Sequence, residues 1–478
     1  MKKIFIDREK DIPIYLQIYS QFKRFIENGS LPPGYKLPTI RSLAKELGVN
    51  IITVVSAYRL LEENGYVYTK VGSGTYVCEG LQRDRDLLED IEISEHKEIH
   101  VKKGIINFAS SSLNPELFPV DEFAELINRV LRRDRGYAFE YQDSRGYRPL
   151  REAIVNFVRL YGIETKIERT QVISGGQQGI DVVSKALINF GDTIIVERPT
   201  YSWALASFQS RGADILEVDL KKGGIDLENL EEKLKKFKPK FIYVMPNFHN
   251  PTGILYSDET KEKLVELAEK YETYILEDDF AIELSFTGKE VLPLKAFDKY
   301  DRVIYLKSFS KVHMPGLRLG FIIAPEKLVS SFLKAKYVTD LTTSGLMQRA
   351  FDLYLRENIW EKHIKEIRQV IKERFEAMRE GLEKLKSYII DFEIPEGGFY
   401  FWVKLKGDVK AADIYQKCLD KGLLIVPGDM FFGIKKEENF LRLSFASCDV
   451  LDIRRGIEIL KNVFEEIEND TEVYIPII

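Results

Sequence analysis

The sequence predicts two domains of different class: a small α+β domain at the amino terminus, followed by a larger α/β domain with a mixed sheet and flanking helices. Two observations predict this division. Residues 1–80 place apolar residues at helical spacing three times in succession, and then at a period of two around a glycine turn. The remainder of the 478 residues repeats short apolar strands that end in polar or glycine-rich turns, as in open α/β sheets.

Charge and composition place the boundary and limit the function classes. The net charge is −5 overall but +3 over residues 1–80, and residues 81–100 carry 3 basic and 7 acidic groups. Residues 81–104 are therefore predicted to be a charged linker. No apolar run approaches the ~18 to 20 residues of a membrane span, and the first residues lack the apolar core of a signal peptide. The three cysteines form no CxxC pair, so neither a disulfide framework nor a metal site is indicated, and we expect a cytoplasmic protein.

The first 80 residues predict three helices and a hairpin. Apolar side chains recur at helical spacing in each helix, Thr39 is suited to cap the second, and glycines follow all three. The predicted helices run from Ile14 to Asn28 and from Thr39 to Gly48, and a third helix ends at Asn64-Gly65. The predicted hairpin pairs the strands Tyr66–Thr69 and Thr75–Val77 around Gly72-Ser73-Gly74.

This order of elements describes a winged helix-turn-helix, whose later helix enters a DNA major groove. A protein-protein or capping module is the alternative for such a small helical domain. The segments Leu37–Ala44, Ala57–Gly65 and Gly72–Val77 resemble the GntR family of regulators, and this resemblance favours DNA binding.

The resemblance assigns DNA contacts by matching position. Arg41 would contact a phosphate or a base edge, Asn50 and Thr53 would begin the recognition helix, and Lys70 and Gly72 would approach the minor groove or the backbone. Relatives usually carry a Ser-Arg or similar polar pair at the recognition turn, whereas this chain has Asn50-Ile51. A major-groove arginine is therefore absent, and we expect a different affinity or base preference.

The larger domain places polar motifs after its predicted strands. Ser308-Phe309-Ser310-Lys311 follows an apolar run, and Arg318 follows after a turn. Two hydroxyls and an arginine suit a phosphate, and a lysine amine beside them suits a Schiff base with an aldehyde, which together point to pyridoxal phosphate (PLP). Three further motifs come after other strands: Asp278, suited to the pyridine nitrogen, Asn250 in Asn-Pro-Thr-Gly, and the turn that holds Gly176 and Gln177.

The order of these motifs resembles the fold type I aminotransferases, most closely the branch with aminoadipate and kynurenine aminotransferases, over about residues 105 to 465. The resemblance implies a PLP-binding domain at 105–478, with a large subdomain at about 120–345 and a small α+β subdomain at about 346–470. It also implies a role for each matching residue. Lys311 is the Schiff-base lysine and proton shuttle, Asp278 pairs with the pyridine nitrogen, Asn250 contacts the ring oxygen, Gly176, Gln177, Ser308, Ser310 and Arg318 form the phosphate cup, Tyr201 stacks on the ring, Tyr141 comes from the partner subunit, and Arg442 holds the substrate carboxylate.

Two positions depart from the aminotransferase pattern. The family has a ring-oxygen tyrosine two or three residues beyond the pyridine aspartate, where this chain has Phe280 and Ala281. Losing this donor would slow transamination without abolishing cofactor binding. The substrate-side loop, which usually contains glycine, corresponds to Ser110–Pro115. Substrate choice is therefore not transferred from relatives.

A GntR-type domain joined to an aminotransferase-like domain resembles the MocR-type transcriptional regulators over nearly the whole chain. The resemblance implies a homodimer, typically head-to-tail, that binds double-stranded promoter DNA with repeated half-sites and senses PLP or an amino compound. Two alternatives remain open from the sequence. One is a working PLP-dependent aminotransferase, acting on aminoadipate or an aromatic amino acid, and the other is a protein-interaction role.

Overall fold

The structure is a computed structural model. It describes residues 4–6, 13–27, 30–63, 65–70, 73–78, 104–286, 288, 290–407, 409–433 and 439–472. The chain divides into two compact units, Met1–Asp90 and Ile91–Ile478. The predicted linker lies almost entirely outside the described residues, as does Gly72, so neither prediction is tested. None of the described helices is long and apolar enough to cross a bilayer.

The first unit is the predicted helix-turn-helix with a two-stranded wing. The elements are α1 (Ile14–Glu27), α2 (Ile40–Leu47), α3 (Ile51–Glu63), β1 (Val67–Lys70) and β2 (Gly74–Val77). The predicted Thr39 cap is present, because its hydroxyl accepts from the Ser42 amide at 3.2 Å, and Gly48 ends α2 at φ 62°. Tyr66 lies just before the wing, whose antiparallel register pairs Val67 with Val77 and Lys70 with Gly74.

The inward faces of the three helices form the core of the first unit. Phe22 from α1 packs edge to face against Tyr58 from α3, with ring centroids 5.6 Å apart. The fully buried side chains are those that the helical spacing placed inward, and they come from all three helices: Ile18, Phe22, Leu43, Val54, Ala57 and Leu61. Burying this stripe leaves the opposite face of α3 directed to solvent.

An eight-stranded mixed sheet forms the centre of the second unit. Its strands lie in the order β4-β11-β10-β9-β8-β5-β6-β7. Their bounds are β4 (Thr170–Ile173), β5 (Thr193–Arg198), β6 (Asp214–Lys221), β7 (Gly224–Ile225), β8 (Phe241–Val244), β9 (Tyr274–Asp279), β10 (Val303–Ser308) and β11 (Gly320–Ile323). The strands β4, β8, β10 and β11 are buried at every position, as expected for central strands covered on both faces, and most of their residues are apolar.

Helices cover both faces of this sheet. Ile195, Ile242 and Ile275 face one helical layer, whereas their neighbours Val196, Tyr243 and Leu276 belong to the core on the other side. The helices of the second unit are α4 (Val120–Asp134), α5 (Arg148–Arg159), α6 (Gly176–Leu187), α7 (Ser202–Ser210), α8 (Leu227–Phe237), α9 (Asp258–Lys270), α10 (Val329–Asp340), α11 (Gly345–Arg356), α12 (Ile359–Glu383), α13 (Ala411–Asp420) and α14 (Val450–Glu472).

A smaller antiparallel sheet follows in the chain, in the order β12-β13-β16-β15. Its strands are β12 (Ile389–Phe392), β13 (Tyr400–Leu405), β15 (Val426–Pro427) and β16 (Phe440–Ser444). The first strand of the second unit, β3 (Ile106–Asn107), pairs in parallel with β14 (Leu423–Leu424), which lies in the same late part of the chain. The division into subdomains near residue 345 stays a prediction.

Two motif residues lie differently with respect to the strands than the sequence predicts. Asp278 does not follow β9 but belongs to it, because the strand continues through Asp279 and each of its last carboxyl groups finds hydrogen-bond partners in the core. β11 begins only at Gly320, because a short 3-10 turn at Pro315–Leu317 ends with Arg318 in the left-handed region at φ 52°. Arg318 therefore lies in the turn, not in the strand.

Candidate functional site

The carboxyl ends of five strands meet at one edge of the large sheet. β5, β8, β9 and β10 are mutually parallel, and β4 has the same direction because β11 runs antiparallel to both β10 and β4. Ligands bind at this edge in open α/β sheets. The predicted cofactor residues that lie at or just beyond these strand ends are Gly176, Gln177, Tyr201, Asn250, Asp278, Ser308, Ser310, Lys311 and Arg318.

A cradle suited to an anion lies where β4, β10 and the turn before β11 meet. Arg318 donates to the Ser310 hydroxyl and to the Ser174 carbonyl, both at 3.3 Å, and the Ser310 amide donates to the Ser308 hydroxyl. A Cβ on Gly175 would lie 2.6 Å from the Arg318 guanidinium, so a residue without a side chain is required there. The amino terminus of α6 adds unpaired backbone N–H groups that favour a phosphate.

Gln177 lies at this helix start, but its side chain turns toward α7. Its Nε2 donates to the Ser207 hydroxyl at 2.8 Å and to the Trp203 carbonyl at 3.3 Å. The side chain of Gln177 is therefore directed away from the cradle, and its backbone N–H, in the first turn of α6, is the group that could bind an anion.

The three consecutive acidic residues of β9 point to different surroundings. Glu277 accepts from the amides of Leu294 and Lys295, both at 2.7 Å. Asp279 is contacted by the Lys307 amine at 3.3 Å and by a tyrosine hydroxyl. Both carboxyl groups are thus satisfied within the protein. Because side chains alternate along a strand, Asp278 lies on the face opposite to Glu277 and Asp279. This position agrees with the prediction that Asp278 pairs with the pyridine nitrogen.

Burial raises the pKa of Asp278 to about 7, because its carboxylate loses hydration. The Tyr243 hydroxyl donates to it at 2.8 Å and partly opposes this effect, whereas the charge of Asp279 adds to it. A cation placed against Asp278 would restore the ionised form. The carboxyl group is therefore suited to a protonated ring nitrogen.

The Lys311 amine donates to the Ser111 hydroxyl at 2.6 Å. Ser111 belongs to the loop that departs from the aminotransferase pattern, and it is buried. The sequence identifies the loop as unusual but does not predict this contact, because the two residues are 200 positions apart. No local pattern reports a contact over that distance.

Arg442 connects the small sheet to the large one. It is fully buried in β16, and it donates to the Asn250 side-chain oxygen at 3.0 Å and to the Ala109 carbonyl at 2.8 Å. Its guanidinium lies over the rings of Tyr400 at 4.6 Å and Phe431 at 5.1 Å. Arg442 and Asn250, the two predicted substrate-binding residues, are therefore in direct contact.

The aromatic residues separate into two groups. Tyr201 is half-buried at the start of α7, beside the strand ends, and Phe280 is buried against Phe399 and Tyr400 with ring centroids just over 6 Å away. Tyr141 is 84% exposed and makes no hydrogen bond or ring contact with the described residues of its own chain. The structure of one chain thus leaves Tyr141 outside the site.

In the first unit, the predicted DNA residues lie around α2, α3 and the wing. Arg41 and Lys70 are exposed and Thr53 is half-buried. The Asn50 side-chain oxygen accepts from the Ile52 amide at 2.9 Å, so Asn50 caps α3, and its amide nitrogen and one lone pair of its oxygen remain for a base or phosphate. The sequence does not predict this capping role.

Lys36 is a basic residue of the wing that the sequence does not identify. It bridges to Tyr76 of β2, its amine lies 5.7 Å from the Tyr76 ring, and its alkyl chain passes over Gly74. The Tyr76 pKa is lowered, first by a hydrogen bond from Ser73 and then by the charges of Lys36 and Lys70. Two lysines are therefore close together on the wing, as a phosphate contact requires.

Known proteins similar to this chain include a regulator and several aminotransferases. The uncharacterized HTH-type transcriptional regulator YdfD of Bacillus subtilis strain 168 is 31% identical, over 96% of this chain and 98% of its own. The crystal structure of kynurenine aminotransferase from Pyrococcus horikoshii matches with a TM-score of 0.73 at 32% identity, covering 80% of this chain and 94% of its own. The crystal structure of LysN, an α-aminoadipate aminotransferase from Thermus thermophilus complexed with N-(5'-phosphopyridoxyl)-L-leucine, matches with a TM-score of 0.74 at 32% identity. This match covers 80% of this chain and 97% of LysN.

PLP is the cofactor that this fold family implies, and the residues fit it. The side-chain-free Gly175 lets the Arg318 guanidinium approach the start of α6, the buried Asp278 would be ionised by a cation placed against it, and Lys311 provides an amine just beyond the end of β10. The chemistry of these three groups matches the phosphate, the pyridine nitrogen and the aldehyde of one molecule.

Two family profiles cover most of the chain. Residues 103–460 match aminotransferase class I and II, and residues 14–77 match the bacterial regulatory proteins of the gntR family, which implies DNA binding. The predicted fold class and family resemblance are thereby confirmed. The chain belongs to the aminotransferase class I and II family, with a gntR-family helix-turn-helix domain at its amino terminus, the architecture of the MocR-type transcriptional regulators.

Proposed function

We propose that this protein is a DNA-binding transcriptional regulator whose aminotransferase-like domain binds PLP at Lys311 and senses PLP or an amino compound. The observation that carries the proposal is the presence in one chain of a capped helix-turn-helix and of a group of Arg318, Ser308 and Ser310, suited to an anion, in the same segment as Lys311. Similarity to a regulator over 96% of the chain supports it further.

The side chains at the strand ends each have a proposed task. When bound, PLP supplies an aldehyde that attaches covalently to an amine and a ring that withdraws electrons. Arg318, Ser308 and Ser310, with the start of α6, would bind its phosphate. Asp278 would keep the ring nitrogen protonated, and Ser111 would orient the Lys311 amine by accepting a hydrogen bond from it.

Arg442 and Asn250 would recognise an effector that carries a carboxylate. The Arg442 guanidinium is fixed by the Ala109 carbonyl and by two aromatic rings, so its planar donor face is pre-oriented. Because Arg442 is fully buried, a carboxylate there would be shielded from water and bound strongly. These contacts favour an amino acid over a simple amine.

Regulation requires that the effector bind two arrangements of the protein with different affinity. We propose a homodimer in which the exposed Tyr141 of each chain completes its partner's site. Two helix-turn-helix units would then read repeated half-sites. This role agrees with the cytoplasmic location that the sequence predicts.

A binding assay tests the regulator proposal. Full-length protein is mixed with labelled fragments from upstream of its own and neighbouring genes, with and without PLP and a panel of amino acids. We expect sequence-dependent binding that PLP or one amino acid changes, and loss of that change in Lys311→Ala. If no fragment binds in a sequence-dependent way at low salt, in any ligand condition, the proposal is wrong.

A working aminotransferase is the second candidate function. The contact between Arg442 and Asn250 is compatible with it, because an aminotransferase needs the same oriented carboxylate site as a regulator that senses an amino acid. Phe280, at the position of the ring-oxygen tyrosine, counts against fast turnover. Formation of 2-oxo acids from amino acids, compared between wild type and Lys311→Ala, measures this activity.

A further inference from the structure

The start of α3 exposes apolar side chains where soluble helices normally present polar ones. Ile51 is 49% exposed, Ile52 70% and Val55 41%, and together they form what we call the apolar face. The core requires none of them, since the inward face of α3 is already built from Val54 and Ala57. Contiguous exposed apolar residues of this kind mark a binding surface.

The position of the apolar face indicates the ligand. α3 is the second helix of the helix-turn-helix, and in this motif the first turns of that helix approach base edges in the major groove. Ile51, Ile52 and Val55 all lie in the first two turns of α3.

Hydrogen-bond readout is scarce at these positions. Arginine reads guanine and asparagine reads adenine through two hydrogen bonds each. The apolar face has no donor or acceptor, and the Asn50 oxygen is occupied by the Ile52 amide at 2.9 Å. The capping hydrogen bond uses one of the two acceptor sites of this oxygen and ties the Asn50 side chain to the start of α3. Among groups on the major-groove edge, only the thymine 5-methyl is apolar.

The charges around the apolar face favour DNA over an apolar protein partner. Arg41 and Lys45 of α2 and Arg59 of α3 are exposed on the same unit, and Lys36 and Lys70 lie on the wing. Residues 1–80 have a net charge of +3 in a chain of net −5. An apolar strip on a unit of net positive charge matches a groove floor bordered by phosphates.

We propose that Ile51, Ile52 and Val55 recognise thymine 5-methyl groups, so that the half-sites of this protein carry thymines opposite the start of α3. The inference rests on the proposed DNA-binding function and names its base preference. Each methyl group buried against an isoleucine changes affinity about fourfold, from about 0.8 kcal/mol per buried carbon at about 1.4 kcal/mol per tenfold.

The test removes single methyl groups from DNA. Full-length protein first selects its sites from a random duplex library, and each thymine of the selected half-site is then replaced by deoxyuridine, which keeps the base pair and deletes only the methyl. Affinity is measured by fluorescence anisotropy at one salt concentration. We expect two or three positions at which wild type binds the deoxyuridine duplex about fourfold more weakly, while other positions show no change.

Variants assign these positions to the apolar face. In Ile52→Ala and Ile51→Ala, the ratio between thymine and deoxyuridine affinities should fall toward one at the sensitive positions. Alanine is a better helix former than isoleucine, and both side chains are exposed, so the fold is retained. The matched control is Lys70→Ala, which should weaken binding to both duplexes equally and leave the ratio at about four.

Three results would overturn the inference that the apolar face recognises thymine methyl groups. Selected sites that bind equally well with thymine or deoxyuridine at every position overturn this inference but leave DNA binding intact. A methyl dependence unchanged in Ile51→Ala and Ile52→Ala also overturns it, as does a change of oligomer mass in these variants without a change of the ratio, because the face would then bind protein. Failure to select any DNA overturns the proposed function itself.

Discussion

Replacing Asp278 by asparagine should remove a pH-dependent cost from the cofactor-free protein. Burial raises the Asp278 pKa from 3.8 to about 7. At pH values between these two, the carboxyl group is therefore protonated in the folded state and ionised in the unfolded state. The native form binds more protons there, and stability therefore falls as pH rises through this window. At about 1.4 kcal/mol per pH unit, the full window is worth on the order of 4 kcal/mol, of which about 3 kcal/mol falls between pH 5 and pH 8.

Urea unfolding followed by tryptophan fluorescence measures this difference. The chain has 3 tryptophans, and all of them, Trp203, Trp360 and Trp402, lie in the second unit, so the signal reports on the domain that holds Asp278. Relative to wild type, Asp278→Asn should gain about 3 kcal/mol between pH 5 and pH 8. Addition of PLP at pH 8 should stabilise wild type more than the variant, because only the carboxylate pairs with a protonated ring nitrogen.

Asp279→Asn is the matched control for this experiment. Its carboxyl group contacts the buried Lys307 amine at 3.3 Å, so its loss leaves a buried charge with one fewer partner. This variant should be less stable than wild type at both pH values. If the free-energy difference between wild type and Asp278→Asn is the same at pH 5 and pH 8, the argument from burial is refuted.

The other predictions concern the cradle, the lysine and the wing. Gly175→Ala should weaken PLP binding at least tenfold in a spectroscopic titration, because the new Cβ would meet the Arg318 guanidinium at 2.6 Å. The control Gly136→Ala, where the new Cβ has open space around it, should bind PLP as wild type does. Equal affinities of the two variants would contradict the assignment of the phosphate to this cradle. Lys311→Ala should retain no PLP after borohydride reduction and denaturation, and cofactor found on another lysine by peptide mapping would count against the assignment. Lys36→Ala should lower the slope of log affinity against log salt by about 0.9, the value for one phosphate contact, and an unchanged slope would exclude Lys36 from the DNA interface.

Local pattern predicted the elements of the fold well, because each buried face repeats at the period of its helix or strand. The core positions Val54, Ala57 and Leu61 follow directly from helical spacing. The motifs after the strands were also visible, since parallel strands bring their carboxyl ends to one edge whatever lies between them.

Contacts between distant segments could not be predicted in the same way. Ser111 meets Lys311 across 200 residues, and Lys36 reaches the wing from the turn before α2. The side-chain oxygen of Asn50 caps α3, which the sequence did not indicate, and its assignment to DNA stays a prediction. In each case the missing information is the tertiary direction of a side chain, which composition and periodicity do not contain.

The stretch from Ile106 to Ser111 has a consequence for how a signal could leave the cofactor site. It begins as β3, contributes the Ala109 carbonyl to Arg442 and ends with the hydroxyl that holds Lys311. The same stretch continues, in covalent sequence, directly to the segment that joins the two units. The residues that contact Lys311 and Arg442 are therefore close, in covalent sequence, to the start of the second unit, so the backbone itself connects the cofactor site to the segment that precedes it.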